Sequence, residues 1–327
     1  MLGERVPAQL YDVAAHLCPV FQLSGHEEFW PCDANDLLAS SFVANPSTHR
    51  PFSPPPPAGA ADAIVAQLRE SVGADTYVTA SAINARGSTS ICDRLPKLSA
   101  RKFSGWIDEY SYVRNFTLCL LDGLATPIVR ARPTDFRKVP VYVRIRKHPT
   151  ELNEWYITYA HVYAYNGATS IVGDFGAHEA DLEHVTLHVK VGPYNAVGAA
   201  LLRVYFSQHF GGHWIAASDQ RLHTVRGGRP RVFVAAKSHA SYPEAGTTHR
   251  FWGAANDVCD SEGPQWNPVR SLVFLDRIDR VRSADRWMLT FVGTLGDTHV
   301  SSFVRQSFWS ATDKDHNAGT GICFSIS

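Results

Sequence analysis

His178-x-x-Asp181-x-Glu183 sets one imidazole and two carboxylates in a short run of the chain. From Asp181 onward the pattern is that of a strand. Val185, Leu187 and Val189 fall on one face, with His184, Thr186, His188 and Lys190 on the other. The side-chain period of two puts Asp181 and Glu183 on the face of the valines and the leucine. Isolated charges at the start of a core-facing strand are costly and must be neutralised. A divalent cation does that with hard oxygen donors and one nitrogen, His178 reaching over from the preceding Gly-containing loop. The plain alternative is a solvated strand end whose two acids pair with nearby arginines. The metal reading makes His178, Asp181 and Glu183 ligands of Mg2+, Ca2+ or Mn2+.

Two further blocks carry histidines. Ser207-Gln208-His209-Phe210-Gly211-Gly212-His213-Trp214 follows a strand and sets His209 and His213 on a Gly-rich turn. Glycine lets backbone approach a ligand closely, although a tight hairpin with solvated histidines has the same signature. In Lys237-Ser238-His239-Ala240-Ser241-Tyr242, Ser238 and His239 are neighbours on a strand and point to opposite faces, a poor nucleophile and base pair. There is no Gly-x-Ser-x-Gly elbow. His239 suits a general base, or a partner of a metal ligand, better. The candidate proton-transfer residues are His209, His239 and His213, and the candidate substrate contacts are Tyr163, Tyr165, Asn166, Trp214 and Tyr242. Asn256-Asp257 reads first as turn chemistry and second as a source of oxygen ligands.

These groups need a scaffold. The 327 residues suffice for a sizeable core. The 31 Lys+Arg balance the 31 Asp+Glu, so no net field favours nucleic acid. Cys18, Cys32, Cys92, Cys119, Cys259 and Cys323 show no C-x-x-C or zinc-type spacing. No apolar run is long enough for a membrane helix. The N-terminal stretch lacks the form of a signal peptide. The expectation is a soluble protein, cytoplasmic or peripheral to an internal membrane.

Residues 7–17 read as a helix with Leu10, Val13, Ala14 and Leu17 on one stripe, and 60–72 as a second. Asp33 or Asn35 caps a brief third. Beyond Trp106 the chain becomes a series of short β-branched and aromatic runs between turns, including 139–146, 154–164, 183–191, 203–207, 213–216 and 231–236, with later runs at 271–274, 288–293 and 321–326. The expected fold is mainly β, an antiparallel β-sandwich with short N-terminal helices. Residues 1–105 would be a helical and extended decoration, and 106–327 the sandwich core that carries the site.

Several blocks occur in one order: VYVRIRKH near Val141, YAYNG at Tyr163, GAHEADLEHVTLHV at Gly176, VYFSQHFGGHWIAASD at Val204, RVFVAAKSHASYPEAG at Arg231 and GAANDVCDSEGPQW near Gly253. Together with the early LCPVFQLSGHEEFWPCDANDLL they resemble the vacuolar protein sorting-associated protein 62 family, a domain of unknown function in plants and fungi. Where that family usually has Gly-Asp-Trp-Glu-His-Val, this chain has Ala180-Asp181-Leu182-Glu183-His184-Val185. The acids are kept and the tryptophan is not. GAHEADLE followed by SHASY is also similar, more weakly, to the GHRHDWE heptapeptide and later His block of the necrosis-inducing toxins. Those are β-sandwiches that hold a divalent cation and bind sphingolipid headgroups. The resemblance implies ligating positions at His178, Asp181 and Glu183 and a matching His239. The toxins' further upstream aspartate has no aligned counterpart, Asp174 being merely nearby.

Two functions follow as expectations. One is a divalent-metal-dependent enzyme acting on a small or lipid-like molecule by hydrolysis, elimination or cyclisation. The other is a non-catalytic, metal-dependent protein that binds a lipid headgroup or sugar.

Overall fold

The computed structural model describes residues 6–39, 41–44, 117–120, 130–167, 178–192, 198–209, 211–250, 255–276 and 294–295. In chain order these contain helix α1 (Gln9–His16), strands β1 (Val20–Leu23) and β2 (Pro31–Cys32), helix α2 (Ala34–Ala39), then β3 (Ser41–Ala44), β4 (Thr117–Leu120), β5 (Val141–Lys147), β6 (Glu154–Asn166), β7 (His178–Lys190), β8 (Ala200–Gln208) and β9 (Gly211–Ala216). The later strands are β10 (Thr224–Val225), β11 (Arg229–Val234), β12 (Ser241–Tyr242), β13 (Gly246–Arg250), β14 (Ala255–Cys259), β15 (Gln265–Trp266), β16 (Leu272–Phe274) and β17 (Thr294–Leu295). The helix expected at 60–72 and the strands expected at 288–293 and 321–326 lie outside the described residues.

The main sheet runs β16-β5-β6-β7-β8-β9, with β2 added to β6. The second runs β10-β11-β1-β15, with β12 on β11. Alternation decides what lies between them. Val141, Val143 and Ile145, then Trp155, Ile157 and Tyr159, then Val185, Leu187 and Val189, with Val204, Phe206 and Ile215, all turn to one face of the main sheet. They meet Phe21, Leu23, Val232, Val234 and Trp266 of the second sheet, and the Leu10, Val13, Ala14 and Leu17 stripe of α1 closes the same core. Asp33 caps α2, its Oδ1 accepting the Asn35 N–H at 2.9 Å. The fold is mainly β and sandwich-like, as the short alternating runs imply.

Two details differ from a purely antiparallel design. The pairs β1–β11, β16–β5 and β17–β4 are parallel. Each joins strands far apart in sequence, which no hairpin could bring together. Within the first 105 residues, Val20–Leu23 lies inside a sheet between β11 and β15. The expected boundary at residue 105 is outside the described residues.

Candidate functional site

The long β6–β7 ladder pairs Tyr163 with Asp181, His161 with Glu183 and Asn166 with His178. Asp181 and Glu183 thus continue the face of Val185 and Leu187, and they are 3% and 2% exposed. This end of the strand is buried, not solvated. An ionised carboxylate at that depth must be met by other polar groups, and they come from the loop after β11, from the start of β7 itself and from β8.

His239 is the first. Its Nδ1 donates to Asp181 Oδ2 at 2.8 Å and its Nε2 to the Phe29 carbonyl at 3.0 Å, with Glu27 Oε1 3.6 Å from the same nitrogen. Both nitrogens face acceptors, so the ring carries two protons. Burial works against that charge, but the Glu27 charge and the hydrogen bonds to Asp181 and Glu27 outweigh it, and the pKa is raised to about 9. The ring lies flat on Tyr163, with centroids 3.6 Å apart and 5° between planes, which adds a cation–π contact. Glu27 is held in turn by the backbone N–H groups of Glu28, Phe29 and Lys237.

His178 is in the other state. Its Nδ1 lies 3.1 Å from the Glu179 carbonyl, which can only accept, so Nδ1 carries the proton. Nε2 then bears the lone pair, takes an N–H from Asn166 at 3.0 Å and stands 3.9 Å from Asp181 Oδ1. Burial lowers the His178 pKa, with His239 and His209 adding to the effect and Asp181 opposing it. Glu183 accepts the Ser207 hydroxyl through Oε2.

A further buried carboxylate organises the loops alongside. Asp257 is fully buried and accepts from His209 Nε2 at 2.6 Å, Tyr242 OH at 2.6 Å, Ser238 Oγ at 2.8 Å and an Arg250 guanidinium nitrogen at 3.0 Å. Burial alone would raise its pKa, yet the charges of His209 and Arg250 and these bonds hold it well below the usual carboxylate range. Ser238 and His239 do diverge, one to Asp257 and the other to Asp181.

Among the described residues, the non-glycines at positive φ are Ala180, His209, Lys237 and His239. All four carry or adjoin this cluster. A left-handed non-glycine costs of order 1 kcal/mol or more and persists where its surroundings over-determine it. Gly167 is required for close approach: it donates to the Lys237 carbonyl at 2.8 Å, and a Cβ there would sit 2.4 Å from the Phe29 ring.

The remaining expected site residues separate. Tyr165 packs on Phe29 and Tyr242 on Asp257. His213 has Phe206 and Arg221 as its neighbours. Trp214 pairs with Tyr205, which pairs with Thr186, so it lies on the sheet face opposite Asp181 and Glu183. There Arg203 sits 4.3 Å over its ring. Sequence reasoning missed Glu27, His161 and the weight of Asp257. For Asp257 a signal existed: it shares parity with Ala255 and Cys259, both buried on β14.

A carboxylate–imidazole set with all its ligand atoms within 4.8 Å of one another does occur among the described residues, on that opposite face: His148, Glu154 and His188. The spacing would admit an ion. The tautomers resist it. His188 Nδ1 accepts from Arg203 Nε at 3.0 Å, and His148 Nδ1 from the Thr150 and Glu151 N–H groups at 3.3 and 3.1 Å. Each ring therefore carries its proton on Nε2, and that of His188 points at Glu154 Oε2, 2.8 Å away, where a metal would need a lone pair. His178 alone of these three histidines has its lone-pair nitrogen on the side of a carboxylate.

Residues 162–262 match the family model Vps62, vacuolar protein sorting-associated protein 62. The matched Vps62 stretch holds Asp181, Glu183, His209, His239 and Asp257, and bears out the family read from the motif blocks. No curated protein matches the chain. Among solved structures, NLPPya in complex with mannosamine is 12% identical, with 96% of this chain and 92% of that chain covered and a TM-score of 0.39. A structure described as a toxin fold for microbial attack and plant defense is also 12% identical, covering 92% and 91%, with a TM-score of 0.38. The non-toxic HaNLP3 protein is 16% identical over 46% of this chain and 57% of its own, with a TM-score of 0.30. Among the described residues no helix is long and apolar enough to cross a membrane.

Proposed function

We propose that His178, Asp181 and Glu183 hold a divalent cation of the Mg2+, Ca2+ or Mn2+ type, and that the protein acts on a small or lipid-like molecule there. The observation that carries this reading is the state of His178. Its proton is tied to a backbone carbonyl, and its Nε2 lone pair, 3.9 Å from Asp181 Oδ1, accepts only the Asn166 N–H that an ion would displace. Ligating histidines are commonly fixed this way, by a hydrogen bond from the other ring nitrogen. Hard carboxylate oxygens and one imidazole suit such an ion. When bound, it would supply Lewis acidity and lower the pKa of a coordinated water.

The roles of the histidines divide. His239, with both nitrogens donating, serves as a fixed cation that orients Asp181. His209, one nitrogen on Asp257 and partly exposed, is the residue placed to exchange protons. Tyr163, Tyr165 and Tyr242 are buried, which favours an enclosed site over an exposed aromatic binding face. Hydrolysis, elimination and cyclisation all use this set.

Elemental analysis of protein purified without chelator, paired with melting curves in EDTA and with each cation restored, tests the reading. A stoichiometric ion that raises the melting temperature is expected. No bound ion, and no shift with any cation, would sink it.

A further inference from the structure

We propose that Asp257 and His209 form an acid–base dyad in which Asp257 is the positioning residue and Nδ1 of His209 the proton acceptor. The proposal rests on the site reading above and assigns the acceptor atom within it. Asp257 is fully buried and accepts four hydrogen bonds, and the one from His209 Nε2, at 2.6 Å, is among the two shortest. A carboxylate only accepts, so the His209 proton is committed to Nε2. Nδ1 is left with its lone pair, and among the described residues it has no partner. The His209 side chain is 18% exposed, whereas Asp257 is sealed. The residue stands at the β8–β9 hairpin in the left-handed region, φ 44°. The turn is tight: a Cβ on Gly212 would meet the Phe206 carbonyl at 2.1 Å. The backbone is thus held in an uncommon conformation that delivers the ring to Asp257.

The dyad also lies beside the proposed ligands. His209 and His239 both act electrostatically on His178, and Ser238, which donates to Asp257, immediately precedes His239. An oriented imidazole with a buried carboxylate behind it is the arrangement that lets a histidine take a proton and be stabilised as a cation. The step is simple. A water or ligand hydroxyl gives its proton to Nδ1 and keeps the O–H electron pair, and the resulting imidazolium retains its Nε2–H on Asp257.

The test reads the tautomer. Long-range proton–nitrogen spectra are recorded on 15N-labelled, EDTA-treated full-length chain above the imidazole titration, with His209 assigned by its loss in His209→Gln. The expected wild-type result is a protonated Nε2 and a bare Nδ1. Asp257→Asn turns an amide donor toward His209, because Ser238 and Arg250 donate to Oδ1 and claim the oxygen there, while the Tyr242 hydroxyl, which shares Oδ2 with His209, can accept from the amide, so the proton should move to Nδ1. Tyr242→Phe removes a different bond to Asp257 and should leave the tautomer unchanged. A wild-type Nδ1–H tautomer, or a folded Asp257→Asn that keeps Nε2–H, overturns the dyad. If Asp257→Asn does not fold, the wild-type and Tyr242→Phe spectra decide. Mn2+ alone is then added to wild type. Broadening of His209 together with His178 is expected, and broadening of His178 without His209 places the dyad elsewhere and overturns the proposal. A correct tautomer with no Mn2+ effect on either residue overturns the acceptor role through failure of the ion-binding reading, leaving Asp257 as a positioning group only.

Discussion

His239 and Asp181 form a buried ion pair at 2.8 Å whose imidazole has no free nitrogen, since the other faces the Phe29 carbonyl at 3.0 Å. This pair ties the loop after β11 to strand β7, and its energetics depend on pH in a defined direction. The His239 pKa is raised from 6.5 to about 9. A raised folded-state pKa stabilises fully below the unfolded value and is lost as pH climbs through the folded one. EDTA-treated protein should therefore lose roughly 3 kcal/mol between pH 6.5 and about 9. His239→Gln should flatten that window, as read by denaturant melts at each pH. A wild-type curve that is already flat there would refute the pair.

Two substitutions separate the two imidazole–carboxylate clusters. Glu183→Gln keeps an acceptor for the Ser207 hydroxyl and removes a ligand charge. Metal content should fall well below one ion per chain while the circular dichroism spectrum is unchanged. His188→Gln, in the cluster whose Nδ1 lone pairs are taken by Arg203 and backbone N–H groups, should leave metal content as in wild type. The opposite pattern would move the ion to the far face of the sheet.

Asp257→Ala removes the acceptor of four donors, one of them an arginine. Leaving a partly buried cation and three polar groups unmet costs roughly 3–5 kcal/mol. Asp257 has a depressed pKa, so its contribution is present above the usual carboxylate value and is lost as pH falls through the lower, folded one. Urea melts of the variant should show the loss at neutral pH and a shallower acid transition than wild type. A loss under 1 kcal/mol would mean the donors find water instead.

Gly167→Ala tests the fit of the loops rather than their charge. The added Cβ would lie 2.4 Å from the Phe29 ring, which packs on Tyr165 and presents its carbonyl to His239. Overpacking of this kind costs roughly 1–3 kcal/mol. A lower melting temperature together with weaker Mn2+ binding is expected, and loss of neither would show that the loop yields freely.

The core positions of β5 to β9, the α1 stripe and the shared face of Asp181 and Glu183 were legible in the sequence, because each follows from a period that the chain repeats locally. The motif blocks likewise carried the family of residues 162–262. What no local pattern contains is which loops meet. His239 reaches Asp181 across 58 positions and Glu27 reaches the Lys237 amide across 210, contacts created only when β1 slots beside β11. The same packing sent Trp214 to the far face, since strand parity fixes that side chain's face once the register is set. Asp257 lay between these cases, its inward parity readable but its four donors not. Sequence periodicity dictates which way a side chain points; only the tertiary fold decides what it finds there, and here that decides which imidazoles hold protons and which hold lone pairs.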